Sequence, residues 1–90
     1  MRPWHRTAAD RWADLDRALA EGDEVQAMES AEALVDGHWA EDGVVDTLVA
    51  RCRAEVPLAE VVATCLFDDA TPEPVVARIE AVLTELGLEP

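Results

Sequence analysis

Hydrophobic residues recur along the chain at intervals of three and four positions, the spacing that brings side chains onto one face of an α-helix. The first such series is Ala8, Trp12, Leu15 and Leu19. Thr7 precedes it and Asp10 follows three positions later, which is the pattern of a helix-capping box. Gly22 suits the left-handed residue that commonly follows a helix end. These signals predict a first helix over residues 8–21.

The second apolar series follows a combined stop and start signal, Gly22-Asp23. Asp23 can cap a new helix, and Gln26 three positions later would complete a second capping box. The apolar positions of this helix are Ala27, Met28, Ala31, Leu34 and Val35. Gly37 is the next glycine and indicates a helix end. We therefore expect the second helix over residues 24–36.

Three further apolar series predict three more helices, over residues 42–55, 57–67 and 72–86. Their apolar positions are Val44, Val45, Leu48, Val49 and Cys52, then Leu58, Val61, Val62, Cys65 and Leu66, then Val75, Val76, Ile79, Val82, Leu83 and Leu86. Pro57 separates the third helix from the fourth, because the residue before a proline is pushed away from helical angles. Thr71 and Pro72 predict the cap and first turn of the fifth helix.

The series together indicate an all-α protein. No stretch of useful length alternates apolar and polar residues as a strand would, and the connections are a few residues long. Sequential helices joined by short connections pack on each other, so we expect a compact bundle of five short helices. Residues 1–6 form a basic and aromatic tail, and residues 7–90 form a single acidic helical domain, within the usual size of one domain.

Charge narrows the classes of partner. The chain has 20 acidic residues against seven basic ones, all of them arginine, for a net charge of −13. Nearly all of the excess lies beyond residue 17, because the first 17 residues carry four arginines and three aspartates. Phosphate contacts need a basic surface, so direct binding to nucleic acid is disfavoured. We expect a protein partner with a basic surface, although acidic residues also serve solubility.

Composition also bears on location. The chain lacks an uninterrupted apolar run of about 18 residues, and the first residues, MRPWHRTAADRW, lack the apolar stretch of a secretory signal. We therefore predict a cytoplasmic protein without membrane contact, and homo-oligomers remain compatible with the sequence. Cys52 and Cys65 fall on apolar helical positions, where free thiols behave as small hydrophobic groups. A bridge between them across a helix pair is the alternative.

Candidate catalytic and metal-binding residues are few. His5, His38, Cys52 and Cys65 are the only imidazoles and thiols, and no two of them have the spacing of a zinc-binding pair. Ser30 is the only serine and lacks the glycines of a nucleophile elbow. We therefore expect neither a metal nor a cofactor, and we predict that the protein is not an enzyme.

One segment nevertheless combines unusual chemistry. Residues 36–42 read DGHWAED, and a composite metal site of Asp36, His38 and Glu41 is geometrically open, although a helix joint is the simpler interpretation. In a joint, Gly37 ends one helix and negative charge precedes the next, where the helix dipole favours it. The residues left without a structural role are His38 and Trp39, and tryptophan is enriched at binding hot spots. The predicted binding surface comprises Trp39, His38, Glu41, Asp42 and Asp46, together with Trp4 in the N-terminal tail.

Three hypotheses of function follow. The leading one is a non-enzymatic protein–protein interaction module, either a small accessory or adaptor subunit or a regulatory one. The second is an acidic inhibitor, such as an immunity protein, an antitoxin or a nucleic-acid mimic. The third is an accessory subunit that contributes His38 or a cysteine to an enzyme site shared with another chain.

Overall fold

Five α-helices and no strand make up the described part of the chain, residues 6–88 of a computed structural model. The helices are α1 (Ala8–Glu21), α2 (Glu24–His38), α3 (Val44–Ala54), α4 (Val56–Thr64) and α5 (Glu73–Glu85). The predicted all-α bundle is confirmed. None of these helices has the length and apolar character needed to cross a lipid bilayer.

Local capping signals shape the hairpin of α1 and α2. Thr7 and Asp10 form the predicted capping box, in which each side chain accepts a hydrogen bond from the other residue's backbone amide. Gly22 ends α1 in the left-handed conformation, at φ 72°. Asp23 then caps α2 by accepting from the Gln26 amide at 3.0 Å. The Gln26 side chain donates to Ser30 instead, so the second capping box is only half formed.

Helix α2 lies at the centre of the packing. It contacts α1 most extensively and also contacts α3 and α4, while α3 contacts α4 and α5. The apolar positions predicted for α3 are all buried, as are half of those predicted for the other helices. The buried residues of the main cluster are Leu15, Ala18, Ala27, Ala31, Val35, Val45, Leu48, Val49, Cys52, Leu58, Ala59, Val62, Ile79, Val82 and Leu83.

The predicted end of α2 at Gly37 is wrong. The helix continues to His38, and the Trp39 amide still donates to the Val35 carbonyl at 3.0 Å. Glycine permits a left-handed conformation without requiring it, and here the left-handed residue is Gly43, which begins α3 at φ 82°. Beyond these two additional helical residues, Trp39 packs against the core.

Helix α4 ends at Thr64, three residues before its predicted end. The amides of Leu66 and Asp68 donate to the carboxylates of Glu32 and Asp36 on α2, at 2.8 and 3.0 Å, instead of to helix carbonyls. These long-range acceptors hold residues 65–72, the α4–α5 linker, in a non-helical path. Leu66 is consequently 85% exposed, so the prediction that it belongs to the apolar stripe of α4 is wrong.

Thr71 does not cap α5, contrary to the prediction. Its buried side chain donates from Oγ1 to Oδ1 of Asp36 at 2.6 Å, and α5 begins at Glu73 without a side-chain cap. The predicted end of α5 is confirmed, because Gly87 is left-handed and the Leu88 amide bonds back to the Leu83 carbonyl at 2.9 Å. This pattern of bonds is that of a Schellman ending.

Candidate protein-binding surface

His38 and Trp39 both have structural roles that the sequence did not indicate. The His38 side chain is only 14% exposed, and its Nδ1 contacts the carboxylate of Glu41. Trp39 is partly buried and packs against the hydrophobic core. The structure thus brings His38 and Glu41 together, at a joint whose aromatic ring faces inward.

The acidic residues that follow this pair differ in their partners. Asp42 is exposed and makes no ion pair within the described part of the chain, whereas Asp46 accepts a 2.6 Å bond from Arg78 on α5. Trp4 lies outside the described residues. Residues 6–88 contain no cluster of three side chains placed to hold a metal ion, including the composite considered for Asp36, His38 and Glu41.

The two cysteines are free thiols, as expected. Cys52 is fully buried on α3, whereas Cys65 is half-buried just beyond α4 and donates to the carbonyl oxygens of Val61 and Met28. Burial raises the pKa of Cys52 to about 11 and that of Cys65 to about 12, from an ordinary value of 9.0. A thiol that stays protonated at neutral pH is a weak nucleophile and a weak metal ligand.

Helix α4 has few charges and leaves part of its apolar surface exposed. Its sequence, VPLAEVVAT, contains a single charge, Glu60. The helix buries Leu58, Ala59 and Val62 but leaves Val56 57% exposed. Because α4 packs mainly on α2 and α3, one groove opens on the side of α1 and another on the side of α5.

The first of these, the α1–α4 groove, has a volume of about 600 Å³. Its floor and walls come from three helices, and Val25, which is 64% exposed, stands at its edge. The lining residues are Ala18, Leu19, Gly22, Asp23, Glu24, Val25, Ala27, Met28, Pro57, Glu60, Val61 and Thr64. Most of this lining is aliphatic, and its three charges are all carboxylates.

The second, the α4–α5 groove, has a volume of about 570 Å³. The α4–α5 linker forms one side of it and contributes Leu66 and Phe67, while Ile79 and Leu83 come from α5. The charged residues of its lining are again acidic: Asp68, Asp69, Glu73 and Glu80. The two grooves together place acidic residues around both flanks of α4.

Five arginines of the described residues pair with carboxylates that lie outside the lining of the two grooves. Arg51 bonds to Asp16 at 2.5 Å and to Glu55 at 2.8 Å, and its guanidinium lies 5.1 Å from the Trp12 ring centroid. The hydrogen bond from Arg51 also lowers the pKa of Glu55. The remaining ion pairs are Arg6 and Arg17 with Asp14, Arg53 with Glu85, and Arg78 with Asp46.

One residue in the sequence carried a signal for the α1–α4 groove. Val25 is an apolar residue near a helix start that falls outside the predicted core stripes, and it proves to be exposed and to line this groove. Exposed apolar residues are common singly on protein surfaces, so only its position in the groove gives Val25 meaning.

Comparison with known proteins identifies no relative: no protein-family model, curated protein or solved structure matches the chain.

Proposed function

We propose that this protein is a non-enzymatic interaction module, an accessory or regulatory subunit, that binds a protein with a basic surface. The observation that carries the proposal is the pair of largely apolar grooves beside α4 whose charged lining residues are all acidic. Apolar area supplies affinity, while carboxylates around it select a basic partner and exclude acidic ones.

The apolar grooves favour this function over that of an acidic inhibitor that imitates nucleic acid. A mimic of nucleic acid presents charge to a basic site and needs little exposed apolar surface. Here Val25 in the α1–α4 groove, Val56 on α4 and Leu66 in the α4–α5 groove are all more than half exposed. A site shared with an enzyme receives less support, because His38 is largely covered and both thiols are shielded.

Affinity capture from the host organism tests the proposal. The tagged chain is used as bait at low and at high ionic strength, and each captured protein is then purified and titrated against the chain by calorimetry. We expect a stoichiometric complex with a basic protein that weakens, without vanishing, as salt is raised. A complex that salt abolishes would favour the inhibitor, and a failure of every purified candidate to bind would refute the proposal.

The predicted surface at residues 38–46 is tested in the same assay. Trp39→Ala combined with Asp42→Asn should leave capture unchanged per folded molecule if binding occurs beside α4. If the folded double variant loses capture, the binding surface lies at the α2–α3 joint. The proposed function as an interaction module would still stand.

A further inference from the structure

Helices α1 and α4 form the two walls of the α1–α4 groove, with α2 as its floor. Ala18 and Leu19 lie on one wall, Pro57 and Val61 on the other, and Met28 on the floor. Along α4 the lining extends from Pro57 to Thr64, about 10 Å or two helical turns at the usual rise per residue. The groove therefore has the length of a short helical segment.

The backbone around the groove favours a helical occupant over an extended one. The walls and floor are helices, and beyond their end turns the backbone groups are already bonded within each helix. An extended peptide would bury unpartnered amides and carbonyls there, whereas a helix satisfies its own. A helix also presents apolar residues at intervals of three and four, which suits an aliphatic groove.

The charge of the groove lining determines which kind of helix the groove can bind. The charged lining residues are Asp23, Glu24 and Glu60, and neither glutamate has an ion-pair partner within the described residues. A second copy of this chain would bring the same carboxylates and a net charge of −13, so like charges oppose self-association. Lysine or arginine flanking an apolar stripe complements the groove.

We propose that the α1–α4 groove binds about two turns of a cationic amphipathic helix from the partner protein, with aliphatic side chains against Met28 and Val61 and basic side chains near Glu24 and Glu60. This inference rests on the proposed function and specifies its surface and the chemistry of its partner.

Fluorescence anisotropy with labelled peptides tests the inference on the full chain. The probe is an amphipathic peptide of about 15 residues, the length at which helices become stable alone, with leucines on one face and lysine and arginine beside them. The control peptide carries glutamate in place of every basic residue. We expect binding of the cationic peptide and none of the acidic one, and equal binding of both would overturn the inference.

Matched variants locate the bound peptide. Val25→Asn should weaken binding about tenfold, because it removes apolar contact at the edge of the groove. Leu66→Asn makes a comparable change in the α4–α5 groove, outside the proposed peptide site, and should leave peptide binding unchanged. Glu24→Gln with Glu60→Gln should weaken binding about fivefold at low ionic strength and less in high salt, whereas Asp69→Asn with Glu73→Gln should not. Circular dichroism and urea unfolding verify that each variant is folded.

The outcomes separate this inference from the proposed function. Binding that is lost in Leu66→Asn and kept in Val25→Asn would overturn the α1–α4 groove as the site while leaving a module for basic partners. Absence of peptide binding in the wild type would overturn the inference, and the capture experiment would still decide the function. A dimer in sedimentation equilibrium that Val25→Asn dissociates would also overturn it, because the occupant would be a second copy.

Discussion

Residues 36–42 and the α1–α4 groove use their side chains in opposite ways. In the segment, the conspicuous residues are engaged within the chain itself: Asp36 holds the α4–α5 linker and Trp39 packs against the core. In the groove, Val25 is 64% exposed and partly buried aliphatic residues line the walls beside Glu24 and Glu60. Chemical variety in a short segment thus accompanies structural roles here, whereas the groove leaves aliphatic surface without a partner in the part of the chain that the structure describes.

The largest expected effect is on stability and concerns Trp39. If the ring is structural, Trp39→Ala should lower the free energy of unfolding by about 2–3 kcal/mol, below the usual cost for a fully buried tryptophan because the ring is only partly buried. Urea denaturation followed by circular dichroism measures it. Val25→Ala is the matched control at the groove and should change stability by no more than about 0.5 kcal/mol. If both variants changed the free energy of unfolding by the same small amount, the two regions would not differ in their contribution to stability.

The alkylation rates of the two thiols test whether solvent and reagents reach the interior beneath α4. The raised pKa values, about 11 for Cys52 and about 12 for Cys65, reduce the thiolate fraction at pH 8 about 100-fold or more relative to an ordinary thiol. Alkylation of the native protein should be slower than that of the urea-unfolded chain by at least that factor, as followed by mass spectrometry. Rapid labelling of native Cys65 would show an interior more open than described.

The same shifts predict the behaviour in alkali. A thiol with a raised folded-state pKa contributes stability that is fully present below its ordinary value of 9.0 and is lost as the pH rises towards the folded value. The unfolding midpoint in urea should therefore fall between pH 9 and 11, and less so in Cys52→Ala than in the wild type.

Asp36 carries the next largest effect. Asp36→Ala removes the acceptor for the Asp68 amide and for the buried Thr71 hydroxyl, which should cost about 1–3 kcal/mol. Asp36→Asn keeps one acceptor oxygen and should recover part of that loss. Asp42→Ala is the control within the same segment, with an expected change of no more than about 0.5 kcal/mol. Faster hydrogen exchange at the Asp68 amide in the alanine variant would locate the loss in the linker.

The features that could be predicted from the sequence are those determined by residues close together in the chain. Thr7, Gly22 and Asp23 act within one helical turn, so the sequence predicted the hairpin of α1 and α2 correctly. The periodic apolar positions likewise predicted the buried face of α3. Each of these features depends only on neighbours along the chain.

The errors at the end of α4 and the start of α5 arose because residues distant in the sequence determine the structure there. Glu32 and Asp36 accept from amides more than 30 positions away and so shorten α4, and Asp36 also takes the Thr71 hydroxyl that was expected to cap α5. No local pattern identifies such acceptors. The grooves were equally unpredictable, since they depend on how α1, α4 and α5 lie around α2 and α3.

The smallest expected effect is at the edge of the groove. Glu60→Gln should change the free energy of unfolding by no more than about 0.5 kcal/mol, because the carboxylate is exposed and has no ion pair in the part of the chain that the structure describes. Thermal unfolding alongside Asp46→Asn, which breaks the exposed pair with Arg78, gives the comparison. A large loss in Glu60→Gln would reveal a structural role and weaken the case for a binding role.

The bond between Glu32 and Leu66 also affects how freely the protein can change over evolution. The Glu32 carboxylate accepts a hydrogen bond from the backbone amide of residue 66, so this bond does not depend on the side chain at that position. Every amino acid except proline has that amide, and a side chain that is 85% exposed meets little steric restriction. Position 66 can therefore vary almost freely among related sequences, and selection for a new partner could act there without altering the helices.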